Sequence, residues 1–381
     1  MRVLVAPDKF KGSLDAVGVA EAMARGIRRA DPTIEIDRCP LSDGGEGFVH
    51  TVTTALGGRF EARRVTGPLP EMKVDATFGV TSDGRTAIIE MSSASGVALL
   101  KPEDRNPLAT TTFGTGELIR AAVELGCKRI LLGIGGSATC DAGIGCLQAC
   151  GCHVILQSGE YARITEPLCG RDLDDIRMIK SHRGGVPGTG FAGVDGVEIV
   201  VACDVTNPLY GPNGSAVVYG PQKGASPEDV QELDRMLREY AKRIGHEDLA
   251  QQSGAGAAGG IGFGLCAILG AKMTPGINLV LEGVHFAERV ANADVVLIGE
   301  GRIDEQSFQG KVIAGVLNVC RKASRPCGAI AGSIADAVDL RVFTEVASLI
   351  TEPAEVAVAM RDASRLIEDR ACSMIKRFVI R

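Results

Sequence analysis

Residues 294–311 constrain this chain more than any other stretch: Asp-Val-Val-Leu-Ile-Gly-Glu-Gly-Arg-Ile-Asp-Glu-Gln-Ser-Phe-Gln-Gly-Lys. The apolar run 295–298 reads as a buried strand that breaks at Gly299. Polar groups then follow closely: Glu300, Arg302, Asp304, Gln306, Ser307 and Lys311. Behind them Val312, Ile313, Val316, Leu317 and Val319 repeat at helical spacing. In a parallel α/β sheet, ligands bind outside the carboxyl ends of strands, which is where this loop stands. Its carboxylates, cations and backbone N–H groups suit a charged small molecule and a phosphate. A solvated strand–helix loop would account for the same residues.

Two further strand ends collect charge in the same way. Residues 2–6 form a short apolar strand, followed by Asp8, Lys9, Lys11 and Gly12. Ser13 is a good N-cap for the next helix, with Leu14, Val17, Ala20, Ala24 and Ile27 on one face. Residues 34–41 read as a second strand, ending in Ser42, Asp43, Gly44, Gly45, Glu46 and Gly47. Strand, charged loop and capped helix form the opening of a βαβ unit.

The pattern changes near residue 62. Residues 63–90 alternate polar and apolar around a turn at Ser82, Asp83, Gly84 and Arg85, which is a hairpin. A helix entered near Thr110 ends at Gly126, a plausible C′ residue. Residues 130–134 are then a strand, and Gly135, Gly136, Ser137, Ala138 and Thr139 form the turn after it. A Gly-rich turn between strand and helix can cradle phosphate with backbone N–H groups, although a tight packing turn has the same composition. Residues 157–197 are rich in Gly, Asp and Arg and read as surface. The strand 198–202 leads to Asp204, and Gly220, Pro221, Gln222, Lys223 and Gly224 form a turn. Ser226, Pro227, Glu228 and Asp229 are a helix-start signature. The seven small residues 254–260, with Gly254, Gly256 and Gly259 among them, are either a second phosphate-facing loop or a helix start packed close to a neighbour. Parallel α/β character returns after residue 285, with strands at 294–298, 326–330 and 346–350 and helices after Thr351.

The two ends of the chain therefore share one sheet, as an α/β domain of residues 1–62 plus 286–381, with a second α/β domain of residues 63–285 inserted. A cleft between two such domains is a natural site. At 381 residues the chain is long enough for two cores. It carries 4% aromatic residues, no Trp and a formal charge of −6, which argues against base stacking, nucleic acid and anionic membrane. The apolar-looking run 255–271 is broken by six glycines and makes a poor membrane span. No targeting segment precedes the first strand. The 12 Cys lack a disulfide-framework pattern and read as reduced cytoplasmic thiols. Cys146, Cys150, Cys152 and His153 cluster in sequence, yet no second half with ligand spacing appears.

Several stretches together resemble one family, the bacterial type of glycerate kinase. They are residues 6–13, 43–47, 112–118, 133–139, 202–209, 220–225, 254–260 and 299–306, in order along nearly the whole chain. One departure stands out. The family usually has Asn and then Asp-Gly-Gly after the Ser-Ala-Thr turn, where this chain has Cys140, Asp141, Ala142 and Gly143. The resemblance implies a flavodoxin-like domain and an inserted domain like a restriction-endonuclease core. It implies the reaction of ATP with glycerate giving phosphoglycerate and ADP, and neutralising the phosphate charge calls for Mg²⁺ with hard oxygen ligands. It favours the 2-phosphate product; kinases giving the 3-phosphate, kinases for another small hydroxy acid, and a nucleotide-sensing binding module stay open, as does a homo-oligomer.

Phosphoryl transfer needs charge neutralisation, an aligned hydroxyl and a carboxylate near it. Asp304 or Asp8 is expected as base, with Lys9, Lys11 and Arg302 neutralising phosphate and substrate carboxylate. Arg302 suits the carboxylate because its fork binds bidentately. Asp43 and Asp204 are candidate metal ligands. Gly135, Gly136, Ser137, Gly254, Gly256 and Gly259 are expected to face the nucleotide phosphates.

Overall fold

The computed structural model describes residues 1–42, 47–181, 193–308, 311–336, 338–350 and 356–380. The expected metal ligand Asp43, with Gly44, Gly45 and Glu46, lies outside the described residues. Thirteen strands occur among them: β1 (Arg2–Val5), β2 (Glu35–Arg38), β3 (Arg59–Thr66), β4 (Lys73–Val80), β5 (Thr86–Glu90), β6 (Arg129–Gly133), β7 (His153–Leu156), β8 (Ile176–Lys180), β9 (Glu198–Ala202), β10 (Lys272–Thr274), β11 (Val295–Ile303), β12 (Cys327–Ile334) and β13 (Glu345–Ser348). The chain forms two compact α/β units. Unit 1 is Met1–Asp43, His50–Gly57 and Ile277–Arg381, and unit 2 is Gly44–Val49 and Gly58–Gly276. A boundary at residue 62 would cut β3, which pairs with β4 along its whole length from Arg59 to Thr66.

Unit 1 holds a five-stranded sheet in the order β13-β12-β11-β1-β2, parallel throughout. Numbered along this unit alone, that order is 2-1-3-4-5, the flavodoxin-like arrangement, whose topological switch point falls between its first and third strands. Here those strands are β1 and β11. Their apolar runs are buried because helices cover the faces: Val3, Val5, Leu297 and Ile330 form one core with the helices Ala16–Ala30 and Ala363–Ile380. Those two helices approach closely at Gly26, where a Cβ would stand 2.2 Å from the Glu368 carbonyl oxygen. The first helix is capped by Asp15, whose side chain accepts from the Gly18 amide, and not by the expected Ser13. Ser13 Oγ donates instead to the Met360 carbonyl at 2.6 Å. The helix buries Ala16, Val19, Ala20, Met23 and Ile27, the last four within the core it shares with the sheet and the last helix.

Unit 2 holds a six-stranded sheet, β10-β9-β6-β5-β4-β3. β10, β9, β6 and β5 are parallel, and β5, β4 and β3 form an antiparallel meander. Phe78, Ile89, Leu132, Leu118, Leu147, Tyr240 and Phe263 belong to its core. The helix Phe113–Glu124 ends as expected at Gly126 (φ 96°), where the Cys127 amide donates to the Ala122 carbonyl and the Gly126 amide to Val123. The helix Pro227–Arg243 starts with a capping box between Ser226 and Asp229. The expected surface segment 157–197 contributes β8 and buries Leu173 and Ile176.

Candidate active site

In unit 1, the loop after β1 continues alongside β11. The Ala6 amide donates to the Leu297 carbonyl and the Asp8 amide to the Gly299 carbonyl, both at 2.8 Å. The Lys9 amide closes back on Asp8 Oδ1 at 2.7 Å. Phe10 is buried, and a Cβ on Gly301 would lie 3.3 Å from both the Phe10 Cα and the Lys11 amide nitrogen. A Cβ on Gly332 would lie 2.3 Å from the Gly301 carbonyl oxygen. Glycine at these places lets the loop, β11 and β12 approach one another. Asp8, Lys9 and Lys11 thus stand at the carboxyl end of β1, at the switch point. Phe10, Lys11, Gly301, Ser333, Leu349 and Met360 help to line a cavity of about 190 Å³ there.

β11 does not break at Gly299. It pairs with β12 as far as Ile303 against Ile334, so Arg302 is a strand residue. No apolar run marks this stretch, in which Gly299 and Gly301 alternate with Glu300 and Arg302; the pairing with β12 carries the strand on. Gly299 is level with Asp8, and Ile303 is about 13 Å farther along an extended strand. Asp304 is therefore set apart from Asp8. Its Oδ1 accepts from the Gln306 amide at 3.0 Å, capping the turn Glu305–Phe308, and its Oδ2 is 3.8 Å from Arg302 Nε. Arg302 has a side chain 68% exposed, and Lys311 Nζ donates to Gln306 Oε1 at 3.3 Å.

In unit 2, the loop after β6 exposes Gly135 and Gly136 and buries the rest. Three of its carbonyls are taken up by the protein. Gly136 O accepts from the Val97 amide at 2.9 Å, Ala138 O from Thr110 Oγ1 at 3.0 Å, and Thr139 O from Lys223 Nζ at 2.7 Å. The Ala138 amide donates to the Ser95 carbonyl at 2.9 Å. Beneath the loop, Asp141 is fully buried and accepts four hydrogen bonds, from the Thr112 amide and hydroxyl and the Gly143 and Gly145 amides. Burial pushes its carboxyl up, against the pull of those donors. Cys140 is buried with Sγ 3.9 Å from Ser215 Oγ, so the residue in the family's Asn position has no exposed surface toward a ligand.

Gly254, Gly256 and Gly259 are buried, and packing explains them. A Cβ would stand 2.0 Å from the Pro208 carbonyl at Gly256 and 2.0 Å from the Thr139 carbonyl at Gly259. The Ala142 amide donates to the Gly259 carbonyl at 2.9 Å, so this segment backs the Gly135–Gly136 turn. Asp204 is exposed after β9, with Oδ1 accepting from the Gly276 amide at 2.8 Å. Among the described residues no group of three or more His, Cys, Asp or Glu side chains is placed to hold a metal, Cys146, Cys150, Cys152 and His153 included.

Sequence reasoning missed Lys223. It read as one residue of a Pro- and Gly-bounded turn. In the structure it is 6% exposed, with Nζ 2.7 Å from both Ser137 Oγ and the Thr139 carbonyl. Its turn is fixed by Gly224 (φ 93°), whose Cβ would stand 2.2 Å from the Arg105 carbonyl.

The family model described as "Glycerate kinase family" matches residues 3–379. The glycerate 2-kinase of Escherichia coli is 43% identical over 345 residues, 89% of this chain and 87% of that protein. The glycerate kinase of Halalkalibacterium halodurans is 41% identical, over 97% and 96%. The crystal structure of a putative glycerate kinase 2 from Salmonella typhimurium matches with a TM-score of 0.87 at 39% identity, covering 100% of this chain and 98% of that one. Among the described residues no helix is long and apolar enough to cross a membrane. On the family model and these relatives together, the chain belongs to the glycerate kinase family.

Proposed function

We propose that this chain transfers the γ-phosphoryl group of ATP to D-glycerate, giving 2-phosphoglycerate and ADP. The observation that carries this reading is the convergence of Asp8, Lys9 and Lys11 on the switch point of a flavodoxin-ordered sheet, in a chain of this family. Asp8 follows the carboxyl end of β1, level with Gly299 midway along β11, and is our candidate for the base that takes the proton of the attacking hydroxyl. Lys9 and Lys11 supply positive charge beside it. Arg302 offers a planar fork for the carboxylate of glycerate. Asp304, committed to its own turn, is the lesser candidate for base.

Gly135, Gly136 and Ser137 are assigned to the nucleotide phosphates. The carbonyls of Gly136, Ala138 and Thr139 are held by the protein, and the backbone of Gly135 and Gly136 is exposed, where an anion could meet it. Gly254, Gly256 and Gly259 support that turn from below. Mg²⁺ in kinases neutralises phosphate charge and is held by one or two carboxylates plus the phosphates themselves. The exposed carboxylate of Asp204 suits that donor chemistry, and Asp43 is the second candidate. All twelve cysteines are free thiols, ten of them buried, which supports a cytoplasmic setting.

Phosphorus NMR of the purified protein with Mg-ATP and D-glycerate tests the reading. The expected result is a new monoester signal matching added 2-phosphoglycerate. A signal matching the 3-phosphate would revise the acceptor oxygen. Intact ATP at saturating glycerate would sink the reading.

A further inference from the structure

Lys223 is a buried cation with neutral partners. Its two hydrogen-bond partners are the Ser137 hydroxyl and the Thr139 carbonyl. The nearby carboxylate, Asp141, is already engaged by four other donors. An ammonium in such a place is strongly disfavoured unless negative charge comes to it. Burial lowers its pKa to about 8, while Cys140 and Asp141 draw it partly back up. A neutral side chain could make the same two contacts, so the contacts alone give no reason for a charge.

The surroundings supply one. Ser137 Oγ accepts from Lys223 and makes no other hydrogen bond among the described residues, so its own O–H is left to donate elsewhere. Ser137 follows directly on the two exposed glycines. Thr139 Oγ1 in the same turn is buried with no partner among the described residues. We propose that Lys223 is a positioning residue for nucleotide binding: it orients the Ser137 hydroxyl, anchors the turn through Thr139, and lends positive charge to a phosphate seated on residues 135–137. The proposal rests on the assignment of that turn to the nucleotide phosphates.

The test uses the full chain with Mg-ADP as probe. Hydrogen exchange reads whether Mg-ADP protects residues 135–139. Calorimetry at pH 8 in two buffers of different ionisation enthalpy reads proton uptake on binding. Burial holds the Lys223 pKa down to about 8, so near that pH an arriving phosphate is expected to draw a proton onto its amine. Steady-state kinetics then compare the wild type with Lys223→Met, whose folding is checked by thermal melting.

The expected result is protection of 135–139, uptake of a fraction of a proton, and, in Lys223→Met, a loss of at least about tenfold in Mg-ADP affinity with a matching rise in KM for ATP. KM for glycerate should move less than about twofold, and the proton uptake should vanish in the variant. A merely structural lysine would not give this split. Protection without proton uptake, or with Mg-ADP affinity kept in Lys223→Met, overturns the role of Lys223 and leaves the turn's assignment standing. Binding of Mg-ADP without protection of 135–139 overturns both. If Lys223→Met does not fold, Lys223→Gln, which keeps a donor for Ser137 and Thr139 without the charge, takes its place, and Mg-ADP affinity kept in that variant overturns the role of Lys223.

Discussion

The two units place their charged loops at equivalent positions, after parallel strands, yet hold them differently. In unit 1 the cluster lies partly in solvent. Lys11 and Arg302 are exposed, and Asp304 pairs loosely with Arg302 at 3.8 Å. Exposed pairs of this kind contribute about 0–1 kcal/mol. In unit 2 the charges lie under the loop. Asp141 and Lys223 are buried, and the turn above them is fastened at Gly136, Ala138 and Thr139. A half-exposed cluster can be altered with little effect on the fold, so substitutions there report on chemistry. A buried cluster couples stability to function, so substitutions there report on both.

Asp8→Asn should give the largest separation. Asn keeps an acceptor for the Lys9 amide, so the melting temperature should hold. Loss of a general base lowers kcat by about a hundredfold or more. Asp304→Asn should cost less than about tenfold. The reverse order would move the base to Asp304, and small losses in both variants would remove both carboxylates from the role of base.

Asp141→Asn should behave in the opposite way. Four donors converge on the two carboxylate oxygens. An amide replaces one oxygen with a donor and sets N–H against N–H in a dry site, which costs about 3 kcal/mol. Urea denaturation should show a lower midpoint with an unchanged slope. A midpoint like that of the wild type would mean that the buried carboxylate does not hold the loop.

Arg302→Lys tests the exposed cluster at smaller scale. Lys keeps the charge and loses the fork, so KM for glycerate should rise about fivefold with kcat and melting temperature little changed. An unchanged KM would take Arg302 out of substrate binding.

The same contrast explains how much could be read without a structure. Strands with apolar runs were legible, β9 at 198–202 among them, as was the helix Pro227–Arg243 with its capping box. The charged residues of unit 1 were legible because they follow such strands. The far end of β11 was not, since glycines alternating with Glu300 and Arg302 carry no burial signal. Ser13 and Asp15 are equally good caps two residues apart, and only their hydrogen bonds separate them, Ser13 Oγ donating to the Met360 carbonyl and Asp15 Oδ1 accepting from the Gly18 amide. Unit 2 hid its site more thoroughly. Lysine is almost never buried, so nothing in a Pro- and Gly-bounded turn marks Lys223 as a core cation. The glycines 254, 256 and 259 matched a phosphate loop in composition, whereas close contact with the carbonyls of Pro208 and Thr139 is a tertiary fact.

Ala142 offers the finest test of how firmly unit 2 holds its loop. It is buried at φ 49°, in the left-handed region, where the family pattern has glycine. Alanine there is strained by about 1–2 kcal/mol. Glycine would relieve that strain but would cost about 0.5–1 kcal/mol in unfolded-chain entropy, and would lose a buried methyl beside Gly260. The expected net effect of Ala142→Gly is a gain of under about 1 kcal/mol, read as a small rise in denaturation midpoint. Strain of this size persists only where the surroundings over-determine the backbone. Here the Ala142 amide is tied to Gly259, and Asp141 before it to Thr112. A gain would therefore show that these ties impose the conformation on Ala142. A loss would show that the methyl's packing outweighs the strain, and that unit 2 fixes its loop by shape more than by hydrogen bonds.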